Sequence, residues 1–131
     1  MLDINYNGVT LAYIGDAVIE LAVREVLISS GITDTGRLSA AAQKLVCAPT
    51  QSAVVEKILP LLTEEEEAAY KLGRNHRISG KPKHASVSEY SRATGLEAIF
   101  GYLHLTGKTE RIQTLLHVAY KDIFNDINYR I

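Results

Sequence analysis

The chain has 131 residues, 47% of them apolar, and a formal net charge of −1. A chain of this size buries roughly two-thirds of its unfolded surface in one domain without a covalent staple, and the single cysteine, Cys47, excludes an internal disulfide framework and fits a reducing compartment. No apolar run reaches the ~18 residues of a membrane helix, and Met1 to Gly8 holds an acid but no basic cluster, unlike a signal peptide.

The pattern is helical throughout. Thr10 to Ser29 is apolar-rich, with polar residues at Asp16, Glu20 and Arg24, an i, i+4, i+8 stripe. Gly31 marks its end, and Asp34 or Thr35 starts a second helix running through Leu45 towards Ala48. Cys47 reads there as a small buried apolar residue. Pro49 interrupts, a third helix covers Thr50 to about Leu59, and Pro60 breaks it. Thr63 followed by Glu66 is a capping box, and the carboxylates Glu64 to Glu67 suit the positive end of a helix that runs to about Asn75. Gly80 and Pro82 mark the main loop, about Arg77 to Ala85. Ser86 or Ser88 starts the next helix, which continues to about Leu105 and stops at Gly107. The last helix, Thr109 to Ile127, shows Ile112, Leu115, Leu116, Ala119, Ile123 and Ile127 at helical spacing. The expectation is one all-α domain over residues 1–131, a compact helical bundle, soluble and cytoplasmic.

Charge is segregated within this near-neutral total. The stretch Lys71 to His84 carries Lys71, Arg74, Arg77, Lys81 and Lys83 and no acid. A local basic patch of this kind grips phosphate while the rest of the surface stays acidic. Read without a partner, it is a solvated loop.

Two acids stand out by their surroundings. Asp16 lies in Leu11-Ala12-Tyr13-Ile14-Gly15-Asp16-Ala17-Val18-Ile19, apolar on nearly every face, so that helix is expected to be deeply buried. A carboxylate in such a place needs a cation or donors. Gly15 costs about 1 kcal/mol relative to alanine in a helix interior, so something is expected to pack closely against it. Glu97 sits in a parallel setting, Thr94-Gly95-Leu96-Glu97-Ala98-Ile99-Phe100-Gly101. Two acids on two core helices could meet around Mg²⁺, which takes oxygen ligands and is often bound by one or two carboxylates plus waters. The plainer readings are that Asp16, Glu20 and Arg24 form the wet stripe of an amphipathic helix and that Glu97 joins a structural ion pair. The histidines make no metal-ligand motif, and there is no phosphate-binding glycine loop.

These residues resemble a known family. Leu11 to Glu20 resembles the signature helix of ribonuclease III domains, and Thr94 to Leu103 resembles that family's second acidic motif, about eighty residues later. The likeness is closer still to the Mini-ribonuclease III branch, which consists of the catalytic domain without an appended double-stranded-RNA-binding domain. Val46-Cys47-Ala48 with Gln51, Leu62 to Glu66, Gly73-Arg74-Asn75, Pro82-Lys83, Tyr90 and Ala93-Thr94 agree with it, so that the resemblance covers about residues 8 to 116.

The resemblance implies a magnesium-dependent endonuclease (manganese substituting) that hydrolyses double-stranded RNA to 5′-phosphate and 3′-hydroxyl ends. Asp16 and Glu97 match the metal-binding catalytic acids. Ala12 and Thr94 stand where full-length enzymes carry further acids, which leaves the ion count per site open. Glu20 matches no catalytic position and reads as a partner of Arg24. The family is homodimeric through the signature helix, which assigns Tyr13, Ile14, Ala17 and Val18 to the interface. Lys71, Arg74, Arg77, Lys81 and Lys83 would grip RNA. The branch matures the ends of 23S ribosomal RNA precursor, with a ribosomal protein as a further partner and no membrane. The competing readings are a non-catalytic dimer of this type that binds structured RNA or a ribosomal protein, and a plain protein-interaction bundle.

Overall fold

The computed structural model describes residues 6–76 and 85–126; Arg77, Lys81, Lys83 and Ile127 lie outside them. Among the described residues there are six α-helices: α1 (Gly8–Ser29), α2 (Thr35–Val46), α3 (Ala48–Ile58), α4 (Glu64–Arg74), α5 (Val87–Leu105) and α6 (Thr109–Asp126), with a 3-10 turn over Leu59–Leu61. None is long and apolar enough to cross a membrane.

Side-chain caps set most of the starts. Asn7 accepts from the Thr10 amide at 2.8 Å, so α1 begins two residues before Thr10. Asp34 caps α2 through the Arg37 amide at 2.9 Å. Thr63 with Glu66, and Ser86 with Glu89, form complete capping boxes on α4 and α5. Pro49 does not interrupt a helix; it lies in the first turn of α3, where its missing N–H has no intrahelical partner to lose. The break falls at Cys47, which is extended (φ −68°, ψ 155°). Its sulfur is only half-buried and lies 3.2 Å from the Thr50 hydroxyl, so it is not simply core filler. At the end of α5, Gly107 adopts φ +72°. The Gly107 and Lys108 amides donate back to His104 and Leu103, an arrangement that needs a left-handed residue.

Helix α5 is the axis of the bundle. Leu96, Ala98, Ile99, Phe100 and Leu103 are fully buried, and α1, α3, α4 and α6 all touch it. Ile19, Val23 and Leu27 of α1, Val54, Val55 and Ile58 of α3, and Leu115, Ala119 and Tyr120 of α6 complete one core. The Tyr120 hydroxyl is buried and donates to the Leu45 carbonyl at 3.0 Å.

Helices α1 and α5 approach each other backbone to backbone. A methyl group on Gly15 would overlap the Glu97 carbonyl oxygen, and one on Gly101 would overlap the Leu11 carbonyl. Helices α1 and α5 therefore cross at glycine on both sides. On the far flank, Gly8 faces the Leu72 carbonyl of α4, and Gly73 of α4 faces Thr94 and Ala98 of α5.

Alanine in a helix interior is ordinarily worth about 1 kcal/mol over glycine. At this crossing the sign reverses, because the added atom meets backbone that cannot rotate away. Gly15→Ala and Gly101→Ala are each expected to lower the unfolding free energy by about 3 kcal/mol, read from urea denaturation. A midpoint equal to or above that of the parent chain would refute the close crossing.

Candidate active site

Because α1 and α5 touch backbone to backbone at Gly15 and Glu97, the residues beside that contact are drawn together. Asp16 follows Gly15, and the Asp16 and Glu97 carboxyls meet. Burial first, then the negative charge of Asp16 and a hydrogen bond between the two groups, push the Glu97 carboxyl up to about 8. Glu97 is largely enclosed, whereas Asp16 lies on the exposed side of α1. The deep burial expected for the Asp16 helix thus holds for Leu11, Ala12, Gly15 and Ile19 but not for Asp16 itself.

Two carboxyls forced into contact repel once both ionise, so one stays protonated near neutrality unless a cation enters. That donor set, all oxygen and two acids strong, fits a hard divalent ion that keeps several waters. Neither neighbour one turn earlier adds a ligand. Ala12 is buried, and the Thr94 hydroxyl donates to the Tyr90 carbonyl at 2.9 Å. Among the described residues no cluster of three or more His, Cys, Asp or Glu side chains is arranged to hold a metal.

Beside the acids runs the basic end of α4. Tyr70 lays its ring against Gly95, and the Arg74 guanidinium sits over that ring, 5.5 Å from its centre. Arg74 Nε also donates to Asn75 at 3.1 Å. Lys71 is exposed and paired with Glu67 at 2.9 Å. With Gly73 seated on Thr94 and Ala98, these two cations stand on the helix that packs against the Glu97 segment. The other basic residues singled out, Arg77, Lys81 and Lys83, are outside the described residues.

Comparison with known proteins agrees with this arrangement. The profile of the ribonuclease III domain matches residues 9–108. The chain belongs to the ribonuclease III family. It is 41% identical over 119 residues to a Mini-ribonuclease 3 of Enterococcus faecalis, covering 89% of this chain and 90% of that one. The Mini-ribonuclease 3 of Streptococcus pneumoniae is 42% identical over 119 residues, covering 88% and 93%. A crystal structure of a Fusobacterium nucleatum protein superposes with a TM-score of 0.86 at 30% identity, covering 95% of this chain and 96% of that one. The chain is thus an endoribonuclease, a hydrolase, in a family whose reaction depends on metal.

Within this ribonuclease III fold, several structural groups have no signal in sequence spacing. Glu66, only 2% exposed, is gripped by both nitrogen arms of Arg111 at 2.8 and 2.9 Å, and Arg111 also donates to the Leu61 carbonyl at 2.7 Å. Burial alone would raise the Glu66 carboxyl, but Arg111 and the Thr63 cap together hold it below its usual range. The block Glu64 to Glu67 pointed to the cap, but not to a partner 45 residues away. The pair expected between Glu20 and Arg24 is present at 3.7 Å.

The raised Glu97 carboxyl has a consequence for stability. The folded chain holds a proton that the unfolded chain releases above its ordinary value of 4.5, so stability from this group is complete below that value and declines as pH rises towards 8. Glu66 acts in the opposite sense, its contribution being lost as pH falls through its lowered pKa. With chelator present, the melting temperature should fall from roughly pH 5 to pH 8, and Glu97→Gln should flatten that limb. A parent chain with a flat profile would show that the two carboxyls do not interact.

Proposed function

We propose that this chain is a homodimeric, magnesium-dependent endonuclease of double-stranded RNA in which Asp16 and Glu97 hold the ion. The observation that carries this is the contact between those two carboxyls at the α1–α5 crossing, with Glu97 driven out of its usual range. An all-oxygen donor set favours magnesium, with manganese as a substitute.

A divalent ion bound there supplies positive charge that stabilises the phosphodiester oxygens as negative charge builds on them. The residues themselves do the placing. Glu97, fixed by the buried face of α5, sets one side of the site. Asp16, on the open side of α1, faces the side from which a strand would approach and, as an acceptor, orients the attacking water. The water oxygen bonds to phosphorus, the bond from phosphorus to the 3′-oxygen breaks, and the departing oxygen takes up a proton. This leaves a 5′-phosphate and a 3′-hydroxyl.

Lys71 and Arg74 supply phosphate contacts from α4, and Arg77, Lys81 and Lys83 add to them. A duplex is gripped through phosphates and 2′-hydroxyls, largely by shape, so a small set of cations on one edge suffices. In keeping with the relatives named Mini-ribonuclease 3, the natural substrate is the precursor of 23S ribosomal RNA, cut in the cytoplasm and in company with a ribosomal protein.

Exposed apolar side chains on α1 support a second copy on that face. Tyr13 is 82% exposed, and Val9, Leu21 and Ile28 also face solvent. Ala17 is exposed, and Ile14 and Val18 are half-buried. A two-fold axis along this face covers the patch and sets two Asp16–Glu97 pairs on one duplex, one per strand.

Cleavage of end-labelled duplex RNA tests the reading. Cuts are expected with Mg²⁺, none with chelator, and a loss of at least about a thousandfold for Asp16→Asn or Glu97→Gln. Duplex binding without cutting by the parent chain in Mg²⁺ would instead establish a non-catalytic scaffold. For the assembly, Tyr13→Glu is expected to convert a dimer to monomer in sedimentation; a parent chain that already sediments as a monomer would remove this interface.

A further inference from the structure

The last turn of α4 holds one cation differently from the rest. Among the described ion pairs, Arg24, Lys57, Lys71, Arg92 and Arg111 are each met by a carboxylate, and Arg74 is in none of them. Its two fixed partners are neutral. The guanidinium lies over the Tyr70 ring, 5.5 Å from the centre, and Nε–H donates to the Asn75 side-chain oxygen at 3.1 Å. Both partners are themselves anchored. Tyr70 is buried, and its ring fills the space beside Gly95. Burial raises the Tyr70 hydroxyl, and the positive charge of Arg74 draws it partly back. Asn75 is fixed through its backbone, its amide donating to the Lys71 carbonyl at 2.9 Å. Gly73, in the same turn, is seated on Thr94 and Ala98 of α5.

A long cationic side chain that grips an anion ordinarily gives up rotamer freedom, and a carboxylate partner has first to be displaced. Arg74 is spared most of both costs. A ring and an amide hold the side chain still without neutralising it. Of its N–H donors, Nε–H is used on Asn75, which leaves the two terminal nitrogens for a ligand. They form an end-on fork that matches two oxygens of one phosphate. Lys71, one turn earlier, is a point charge already paired with Glu67 at 2.9 Å, and contact with phosphate costs it that pair. Position around α5 separates the fork from the two acids. The Tyr70 ring lies against Gly95, whereas Glu97 meets Asp16 on the side where α1 crosses. Residues two apart on a helix point about 200° apart.

We propose that Arg74 is a preset receptor for a backbone phosphate of the duplex other than the one being cut, with Tyr70 and Asn75 as its positioning residues. This rests on the double-stranded-RNA reading given above. Its contribution is to holding the duplex and not to breaking the bond, since the charge that acts on Glu97 is that of Asp16 and not that of Arg74. The geometry also makes arginine and lysine unequal at this position. A lysine would carry the same charge but could neither fork onto two oxygens nor be held flat by a ring and an amide.

The test measures duplex RNA affinity by fluorescence anisotropy with chelator present, which prevents cutting, and kcat at saturating RNA in Mg²⁺, with a melting curve for each variant of the full chain. Arg74→Lys keeps the charge and loses the fork, and it should weaken binding about tenfold while leaving the salt dependence as in the parent. Arg74→Ala should weaken binding further and lower the salt slope by about one. Asn75→Ala and Tyr70→Leu leave the charge in place but free the side chain, and each should weaken binding about threefold or more. In all four, kcat should stay within about twofold of the parent. Parent-like affinity in Arg74→Lys overturns the proposal, because charge alone would then suffice. So does parent-like affinity in Asn75→Ala or in a folded Tyr70→Leu. Should Tyr70→Leu melt below the assay temperature, Asn75→Ala, at an exposed cap, decides the positioning. A fall in kcat with affinity unchanged also overturns it, since Arg74 would then act on the chemistry. A parent chain that neither binds nor cuts the duplex overturns the RNA reading itself, a separate outcome seen before any variant is compared.

Discussion

The backbone-to-backbone crossing of α1 and α5 governs this molecule. Two glycines, Gly15 and Gly101, let the helices approach until each meets a carbonyl of the other. A side chain at either position would push the axes apart, and the two acids beside the contact would separate with them. Two ionised carboxylates repel, and burial together with the Asp16 charge holds a proton on Glu97. The rest of the fold has to hold them in place. Leu96, Ile99, Phe100 and Leu103 lock α5 from within, and Ile19, Val23 and Leu27 lock α1 against the same core.

That arrangement stores an electrostatic conflict at the site and keeps it away from the rest of the bundle. Glu66, the other enclosed acid, is compensated by a two-armed arginine and a helix cap, and its carboxyl is held below the usual range. Glu97 has no such cation among the described ion pairs, and its carboxyl moves the other way. The carboxyls of two glutamates in one small domain are thus displaced in opposite senses. Arg111 closes the junction between the Leu59–Leu61 turn, α4 and α6.

The charge pattern fits the same division. The chain as a whole is slightly acidic, yet the end of α4 that packs against the Glu97 segment presents Arg74, steadied by the Tyr70 ring, and Lys71. The long apolar side of α1, with Tyr13 foremost, stays exposed.

The helical class, the cap at Thr63, the starts at Asp34 or Thr35 and at Ser86 or Ser88, and the stops near Gly31 and Gly107 were legible in the sequence, because they depend on neighbours within a few positions. So was the singling-out of Asp16 and Glu97, since an acid beside glycine in an apolar helix is locally anomalous. The sequence misled at Pro49, where a breaker became a helix start, and at Asp16, where apolar neighbours did not mean burial. Only tertiary structure decided that the two acids touch, that Glu66 belongs to Arg111, that Tyr120 reaches Leu45, and that Glu20 and Gln51 carry unpartnered atoms. These are contacts between helices distant in the chain. Periodicity tells which face of a helix is buried, but not which partner that face meets, because the partner is chosen by how closely two backbones can approach.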